Sequence, residues 1–207
     1  MLGPTDRFTR QCGCVAPPRI EIAGSVYHVN AKAVHGTHLF RDEQDRSDFL
    51  NRLGHEAKSS DWTLLAYSLM STHYHVLLRI NKLTLSSGFR RLNGEYAKNY
   101  NRRHDRRGAL LQRRFFDSMI ESESHLLEVV RYIARNATRA NIVASPEEWA
   151  WCSYGSAIGV VPRDPLIDEQ EVLALFGTSP TLARERLRAF VNEPDPRVRR
   201  GLTLVGP

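Results

Sequence analysis

The sequence predicts an α+β domain built on an antiparallel sheet, and three observations support this fold class. The first is composition: the chain of 207 residues is 42% hydrophobic and 25% charged, close to the averages of globular domains. The second is the alternation of apolar and polar residues over 24–34, which is the period of a strand with one buried face. The third is the order of strand and helix patterns that follows.

One helix and two strands are predicted after the first strand. Asp42 is a good N-cap residue, and the apolar residues after it recur at helical spacing until the polar residues 59–61. The nearly continuous apolar run of residues 62–70 is typical of a buried strand, and residues 74–80 form a similar run. Because few residues separate these two strands, we expect them to form a hairpin.

The remaining elements complete a familiar order. A second helix is predicted from about Ser86 to Arg103, a fourth strand over 115–120 and a third helix over 123–140. Strand, helix, strand, strand, helix, strand is the ferredoxin-like βαββαβ arrangement, an antiparallel sheet with helices on one face. The third helix is an addition to this unit.

Changes in composition divide the chain into three parts. Residues 1–18 contain several glycines and prolines and are predicted to be a flexible tail. Residues 19–160 contain all the predicted strands and the three helices above, and form the main domain. Prolines then separate two further short helices, near 168–176 and 181–192. Residues 161–207 are therefore predicted to be a helical C-terminal appendage.

Charge and cysteine content exclude some classes of protein. Lys and Arg number 29 against 23 Asp and Glu, an excess that permits a polyanionic partner without requiring one. No apolar run approaches the roughly 18 residues that span a bilayer, and residues 1–10 lack the apolar core of a secretion signal. The 3 cysteines are odd in number, which argues against a disulfide framework. We therefore expect a cytoplasmic protein with no membrane partner.

The positive charge is concentrated between residues 79 and 114. This stretch has eleven basic and two acidic residues, with aromatic residues such as Phe89 and Tyr96 interleaved, and Phe115 and Phe116 follow it directly. Phosphates follow positive charge and bases stack on rings, so the pattern is typical of a groove for single-stranded nucleic acid. A solvated helix face followed by a basic loop would give the same pattern, and this alternative stays open. The candidate nucleic-acid-binding residues are Arg90, Arg91, Lys98, Arg102, Arg103, Arg106, Arg107, Arg113 and Arg114.

His73 and His75 lie on the second strand of the predicted hairpin. Because side chains alternate along a strand, both histidines point to one face while apolar neighbours such as Tyr74 fill the other. Two imidazoles about 7 Å apart on one strand can share a metal ion. We expect the apolar row to pack under the helices, which leaves the histidines on an open face together with His28 and Asn30. A pair of surface or hydrogen-bonded histidines is the simpler explanation of this motif taken alone.

Tyr132 lies on the third predicted helix, away from its apolar stripe. At about 100° per residue it falls on a polar side of that helix, with Asn136 one turn later. The phenol could act as a nucleophile if a nearby cation or metal favours the phenolate, because its free pKa is about 10. Asn136 could supply a neutral oxygen ligand to the same metal. Other tyrosines, such as Tyr96 and Tyr154, are predicted to be packing residues.

Short motifs run in order through residues 19–154. They are Tyr27-His28-Val29-Asn30, Ala66-Tyr67-Ser68-Leu69-Met70, Thr72-His73-Tyr74-His75-Val76-Leu77-Leu78, Gly108-Ala109-Leu110-Leu111-Gln112, Arg131-Tyr132-Ile133 with Asn136, and Trp151-Cys152-Ser153-Tyr154. In these motifs the chain resembles the single-tyrosine transposases, whose metal motif is His, a hydrophobic residue and His. It looks most like the REP-associated tyrosine transposases. The family usually has Pro where this chain has Ala137, and Pro-Asn where it has Ser71-Thr72.

The resemblance implies a metal-dependent single-stranded DNA endonuclease and strand transferase that acts on palindromic hairpin elements. It implies that Tyr132 attacks the scissile phosphate to give a 5′-phosphotyrosine, and that His73, His75 and Asn136 bind Mg²⁺ or Mn²⁺. The implied partner is single-stranded or hairpin DNA of the nucleoid, bound by a monomer or a homodimer. Two other interpretations stay open: a non-catalytic single-stranded nucleic-acid-binding module with a ferredoxin-like fold, and a nickase of the replication-initiator type.

Overall fold

The computed structural model describes residues 20–112 and 114–193. Its centre is a four-stranded antiparallel sheet with the order β2-β3-β1-β4. The strands are β1 (Val26–Lys32), β2 (Trp62–Leu69), β3 (His73–Ile80) and β4 (Phe116–Met119). The helices are α1 (Glu43–Ser60), α2 (Leu85–Arg103), α3 (Glu123–Ala134), α4 (Asn136–Arg139), α5 (Tyr154–Ala157), α6 (Glu169–Ala174) and α7 (Pro180–Asn192), with a 3₁₀ turn at Pro146–Glu148. The predicted tail, residues 1–18, and the candidate Arg113 lie outside the described residues.

The elements follow the predicted βαββαβ order, which confirms the α+β, ferredoxin-like fold class. Helices α1 and α2 cover one face of the sheet. On that face Val29 of β1 and Val76 of β3 are fully buried, as are Phe49 of α1 and Phe89 of α2. The apolar stripe predicted for α2 therefore faces the core, as its helical spacing requires.

The opposite face of the sheet is covered as well. Leu77 of β3 is fully buried there, in a second apolar cluster with Ile133 of α3 and Leu187 of α7. The expectation of an open histidine face is therefore wrong, and His75 is only 4% exposed. The physical reason is that α3 crosses β2 and β3, while α6 and α7 pack beside it and bury its apolar stripe.

Side-chain carboxylates cap both helices of the first face. Asp42 begins α1 as predicted, and its Oδ1 accepts the backbone N–H of Asp45 at 3.0 Å. At the start of α2 the carboxylate comes from Glu21, before β1, which accepts the N–H groups of Leu85 at 2.9 Å and Ser86 at 2.8 Å. A carboxylate at this position satisfies free backbone donors and is favoured by the helix dipole.

The third predicted helix, residues 123–140, is interrupted in the structure. Arg135 separates α3 from α4 with φ −88° and ψ 4°, between the helical and extended regions. The Thr138 hydroxyl donates to the carbonyl oxygen of Arg135 at 2.9 Å, and such back-bonding competes with the regular helix and bends it. The prediction of one continuous helix is therefore wrong, although the Arg135 N–H still donates to the carbonyl of Arg131 at 3.0 Å.

Two features expected from composition can be compared with the fold. Among the described residues, no helix is both long and apolar enough to cross a membrane. Cys152 is a buried free cysteine, and burial raises the pKa of its thiol to about 11. This thiol is therefore held in its unreactive protonated form at neutral pH.

Candidate active site

Strand β3 places His73 and His75 on one face of the sheet, beside β1. Their backbone partners in β1 are Lys32 and Asn30, so this part of the face is polar. The two imidazole centroids are 5.1 Å apart and the rings are nearly perpendicular, at 84°. His73 is partly buried and His75 is buried, because α3 lies over this part of the sheet.

A hydrogen bond to His28 of β1 holds the imidazole of His75. His28 Nε2 and His75 Nδ1 are 3.0 Å apart, and the rings are stacked with centroids 5.1 Å apart. The other nitrogen, His75 Nε2, is buried and has no hydrogen-bond partner among the described residues. Burial lowers the pKa of His28 to about 4 and lowers the pKa of His75 well below its usual value, so both rings are neutral near pH 7.

Asn136 brings a third polar side chain to the two histidines. Asn136 is 7% exposed, and its side chain is hydrogen-bonded to His73. Burial and the nearby Lys32 lower the pKa of His73, whereas the hydrogen bond to Asn136 acts in the opposite direction. Asn136, at the start of α4, is thus in direct contact with the first histidine of β3.

The phenol ring of Tyr132 in α3 completes the cluster. Its centroid lies 5.1 Å from that of His75, at an interplanar angle of 89°, and 6.0 Å from that of His28. The Cζ atom of Arg139 is 5.4 Å from the Tyr132 centroid, which places a cation beside the ring. Tyr132 is less exposed than its place on the predicted polar side of the third helix suggested. It is partly buried and packs against the second apolar cluster, because the C-terminal helices pack against α3.

Tyr132 is the one tyrosine whose ring contacts the imidazoles of His28 and His75. All 7 tyrosines lie in the described residues, and the other six are at most 5% exposed. The hydroxyl groups of Tyr96 and Tyr100 both donate to backbone carbonyls at 2.6 Å. Burial raises the pKa of Tyr96, Tyr100 and Tyr154, which disfavours a phenolate at each of these positions.

The side chains of this cluster fit a divalent metal ion. Leaving the buried Nε2 of His75 unpaired costs about 1–3 kcal/mol, and a bound cation would remove this cost. A neutral imidazole whose second nitrogen is held by a hydrogen bond, as in His75 with His28, is the usual form of a metal-binding histidine. With His73 and the side-chain oxygen of Asn136, the set mixes imidazole and oxygen ligands, which suits Mn²⁺ and can accept Mg²⁺.

A second group of possible metal ligands, Asp42, Asp45 and His104, lies where α1 begins and α2 ends. Arg103 already forms ion pairs with both carboxylates, and the contact with Asp42 measures 2.7 Å. His104 Nε2 lies 2.9 Å from Asp45 Oδ1. Because Arg103 supplies the positive charge these carboxylates need, we interpret the group as a structural link between the two helices.

The candidate phosphate-binding residues fall into two groups. In the first, Arg91 pairs with Glu56 at 2.7 Å, Arg106 donates to the Ala109 carbonyl at 2.7 Å, and the remaining two, Arg102 and Arg103, also bond to protein groups. The side chains of the second group form no hydrogen bond or ion pair with any other described residue; this group consists of Arg90, Lys98, Arg107 and Arg114. Half of the described candidates are therefore free to contact a ligand.

Phe116 was expected only as one of several aromatic residues in the basic stretch. In the structure it begins β4 directly opposite Asn30, which in turn lies opposite His75. Phe116 is 53% exposed on the face of the histidines, whereas Phe115 is buried on the other side. The alternation of side chains along the short strand could have identified Phe116 as a site-facing residue.

The chain is similar to a known family and to solved structures. The family described as "Transposase IS200 like" matches residues 24–136 of the chain. Among solved structures, a REP-associated tyrosine transposase bound to a REP hairpin aligns with a TM-score of 0.60 at 15% identity, over 71% of this chain and 88% of that one. The tRNA(His) guanylyltransferase of Saccharomyces cerevisiae aligns with a TM-score of 0.43 at 10% identity, over 87% and 85% of the two chains. No curated protein matches the sequence. Because the matched residues make up more than half of the sequence and include the histidine pair, Tyr132 and Asn136, the chain belongs to the IS200-like transposase family.

Proposed function

We propose that this transposase cuts and rejoins single-stranded DNA at palindromic hairpin elements, with Tyr132 as the nucleophile. The observation that carries the proposal is the meeting of Tyr132 with His73, His75 and Asn136 in one cluster, where the Tyr132 and His75 rings are 5.1 Å apart. A transposase must break and join DNA, and this cluster places a possible nucleophile beside possible metal ligands.

The proposed reaction replaces one ester of the scissile phosphate with another. A bond forms between Tyr132 Oη and phosphorus, and the bond between phosphorus and the 3′ oxygen breaks. The phenol loses its proton and the leaving oxygen gains one, which gives a 5′-phosphotyrosine and a free 3′-hydroxyl. Attack by another 3′-hydroxyl on the phosphotyrosine reseals the strand without an external energy source.

His73, His75 and Asn136 are the proposed ligands of a divalent metal ion, Mg²⁺ or Mn²⁺. When bound, the ion supplies positive charge that stabilises the transition state at the phosphate and the leaving oxygen. His28 fixes the direction of His75 Nε2 through the hydrogen bond to Nδ1. The hydroxyl of Thr72, 3.1 Å from Nδ1 of His73, orients that ring in a similar way.

The proposed partner is hairpin DNA with a single-stranded flank. The similar REP-associated tyrosine transposase was bound to a REP hairpin, which supports a hairpin substrate for this chain. Phe116 offers an exposed ring in line with His75 and Asn30, where a base next to the scissile phosphate could stack. The unpaired basic residues are the strongest candidates for phosphate contacts; they are Arg90, Lys98, Arg107 and Arg114.

The proposal extends to the organisation of the protein. We infer that residues 19–160 form the catalytic domain and that residues 161–207 form a helical appendage to it. The protein is proposed to act as a monomer or a homodimer on nucleoid DNA in the cytoplasm.

Replacing Tyr132 with Phe tests the nucleophile, because it removes one oxygen and little packing. Tyr132→Phe should fold and bind hairpin DNA like the wild type but form no covalent adduct with labelled single-stranded palindrome DNA on a denaturing gel. Tyr154→Phe is the matched control, because the buried Tyr154 hydroxyl has no hydrogen-bond partner among the described residues and its loss leaves none of their groups unpaired. This control should form the adduct at the wild-type level.

The metal is tested in the same assay with His73→Ala and with EDTA. Both should abolish the adduct, and Mn²⁺ or Mg²⁺ should restore it after chelation of the wild type. An adduct that persists in His73→Ala with EDTA present would contradict the metal site. Binding without any adduct in the wild type would favour the alternative of a non-catalytic binding module.

A further inference from the structure

Arg139 is an exposed cation beside the proposed nucleophile. Its Cζ atom lies 5.4 Å from the centroid of the Tyr132 ring. The side chain of Arg139 forms no hydrogen bond or ion pair with any other described residue. Apart from its contact with the ring, the guanidinium is therefore available to a ligand, and all of its N–H groups are donors.

The helical phase of the chain brings Arg139 to this position. Arg139 is the last residue of α4, three residues after Asn136 and seven after Tyr132, so all three side chains lie on one side of the α3–α4 segment. The N–H groups of Arg135 and Arg139 donate to the carbonyls four residues earlier, at 3.0 and 2.9 Å, which preserves this phase across the break between the helices. Because helical side chains lean towards the N-terminus, the long side chain of Arg139 reaches back to Tyr132.

The other groups around Tyr132 carry no positive charge in the metal-free protein. Burial lowers the pKa values of His28, His73 and His75, which favours the neutral imidazoles. Lys32 lies opposite His73 in β1, at the end of the histidine row. Among the described residues, Arg139 is therefore the cation that contacts the ring of the nucleophile.

The proposed reaction requires positive charge at the phosphate. When Tyr132 Oη attacks phosphorus, negative charge increases on the non-bridging oxygens, and no proton is transferred to them. Donors that are already in place beside these oxygens stabilise such a transition state. A guanidinium suits this task, because it stays protonated and can donate two parallel hydrogen bonds to a phosphate.

We propose that Arg139 is a further catalytic residue, whose guanidinium donates hydrogen bonds to a non-bridging oxygen of the scissile phosphate. It stabilises the charge on this oxygen when Tyr132 attacks, and again when a 3′-hydroxyl attacks the phosphotyrosine. Arg139 gains and loses no proton, so the bonds formed and broken are those of the proposed reaction. The proposal rests on the proposed function and adds a residue to it. Because the Tyr132 ring already holds the guanidinium, little reorganisation is needed when DNA binds.

The experiment compares a normal scissile phosphodiester with a methylphosphonate, in which a neutral methyl group replaces one non-bridging oxygen. On the phosphodiester, Arg139→Ala should form the adduct about 100-fold more slowly than the wild type in single turnovers at saturating DNA. Its affinity for the hairpin, measured by fluorescence anisotropy, should fall by less than about fivefold, because many other phosphate contacts remain. With one methylphosphonate stereoisomer, Arg139→Ala should react faster than on the phosphodiester and within about threefold of the wild type, because the charge that Arg139 stabilises is absent.

The gain on methylphosphonate separates a role in charge stabilisation from a role in packing. If Arg139 only supported the Tyr132 ring, Arg139→Ala would be slow on every substrate, since the methyl group does not restore the ring contact. Lys58→Ala removes one exposed charge from α1 and should behave like the wild type on both substrates. The wild-type rate on the phosphodiester in Arg139→Ala, or no gain with either stereoisomer, would overturn the proposal.

The wild-type protein separates this proposal from the proposed function. If the wild type forms no adduct on the phosphodiester, the cleavage proposal fails and the role of Arg139 fails with it. If the wild type forms the adduct on Tyr132 but the methylphosphonate does not rescue Arg139→Ala, only the role of Arg139 is contradicted.

Discussion

At the scale of single residues, His75 combines a structural role with its proposed chemical role. It is 4% exposed, one of its nitrogens is bonded to His28, and the other has no partner among the described residues. Removing the ring would leave a cavity under α3 and an unpaired nitrogen on His28, so His75→Ala should lose stability as well as metal binding. His73 is only partly buried, which makes His73→Ala the cleaner test of the metal site.

The burial of His28 makes the stability of the metal-free protein dependent on pH. Burial, with a smaller contribution from His125, lowers the pKa of His28 from 6.5 to about 4. Between these values the unfolded chain binds a proton that the folded chain does not, so the free energy of unfolding falls as the pH is lowered from about 6.5 towards about 4. Lowering the pH from about 7 to about 5 should cost on the order of 2 kcal/mol from this residue.

Urea unfolding in EDTA, at both pH values, measures this effect. His28→Gln keeps a hydrogen-bonding side chain next to His75 but does not titrate, so its stability should fall less on acidification than that of the wild type. His55→Gln, on an exposed position of α1, should keep the wild-type dependence. Equal losses in the wild type and in His28→Gln would show that His28 is not the titrating group.

At the scale of elements, the sequence predicted what depends on local periodicity. The apolar stripe of α2, with residues such as Phe89 and Tyr96, lies in the core. It could be predicted because helical spacing alone determines which residues share a face of the helix. The cap of α2 could not be predicted, because Glu21 lies far from α2 in sequence. The coverage of the histidine face also depends on contacts between distant segments, so periodicity in β3 predicted which residues share the face but not that His75 is buried.

Helix α2 also depends on a close contact with β2 that could not be predicted from the sequence of the helix. Gly88 packs against Trp62 of β2, and a Cβ atom at Gly88 would lie 2.3 Å from Trp62 Cζ2. Gly88→Ala should therefore destabilise the protein by about 1–3 kcal/mol, because Trp62 or the helix must shift. Gly94 on the same helix has no neighbour within 4 Å of such an atom, so Gly94→Ala should stabilise by about 0.5–1 kcal/mol.

Thermal or urea unfolding of the two variants gives the comparison directly. Both changes add the same methyl group to the same helix, so helix propensity contributes equally and only the contacts with Trp62 and Glu56 differ. If the two variants were equally stable, the close packing of α2 on β2 would be contradicted.

At the scale of the whole molecule, the net charge of +6 overstates the charge available to DNA. Arg91 and Arg103 are committed to ion pairs between α1 and α2, whereas Lys98 and Arg107 have no partner among the described residues. If each of the latter two contacts one phosphate, replacing both with Ala should reduce the slope of log K against log salt by about 1.4–1.8. Salt titrations of hairpin binding measure this slope. A double variant with the wild-type slope would show that these two residues do not contact DNA. Lys58→Ala, which removes one exposed charge from α1, is the control and should keep the wild-type slope.

The C-terminal appendage is joined to the proposed catalytic helix by direct contacts. The Cζ atom of Arg131, next to Tyr132 in sequence, lies 3.8 Å from the ring centroid of Phe190 in α7. Arg135, where α3 ends, donates to the backbone oxygen of Glu193 at 3.0 Å. These contacts lie on either side of Tyr132 in α3, so the position of its phenol over the histidines depends on the packing of α7.

Truncating one buried side chain of α7 tests this dependence. Leu187 is 1% exposed and belongs to the apolar cluster of α3, so Leu187→Ala should destabilise the protein by about 2–5 kcal/mol. It should also slow adduct formation at temperatures where the variant is still folded, because α3 loses part of its support. Leu182→Ala, on the same helix at a position 42% exposed, should change stability by less than about 0.5 kcal/mol and leave the adduct rate unchanged. Circular dichroism melting curves and single-turnover adduct assays on the two variants distinguish the cases. A folded Leu187→Ala protein with the wild-type adduct rate would mean that α7 stabilises the domain without positioning Tyr132.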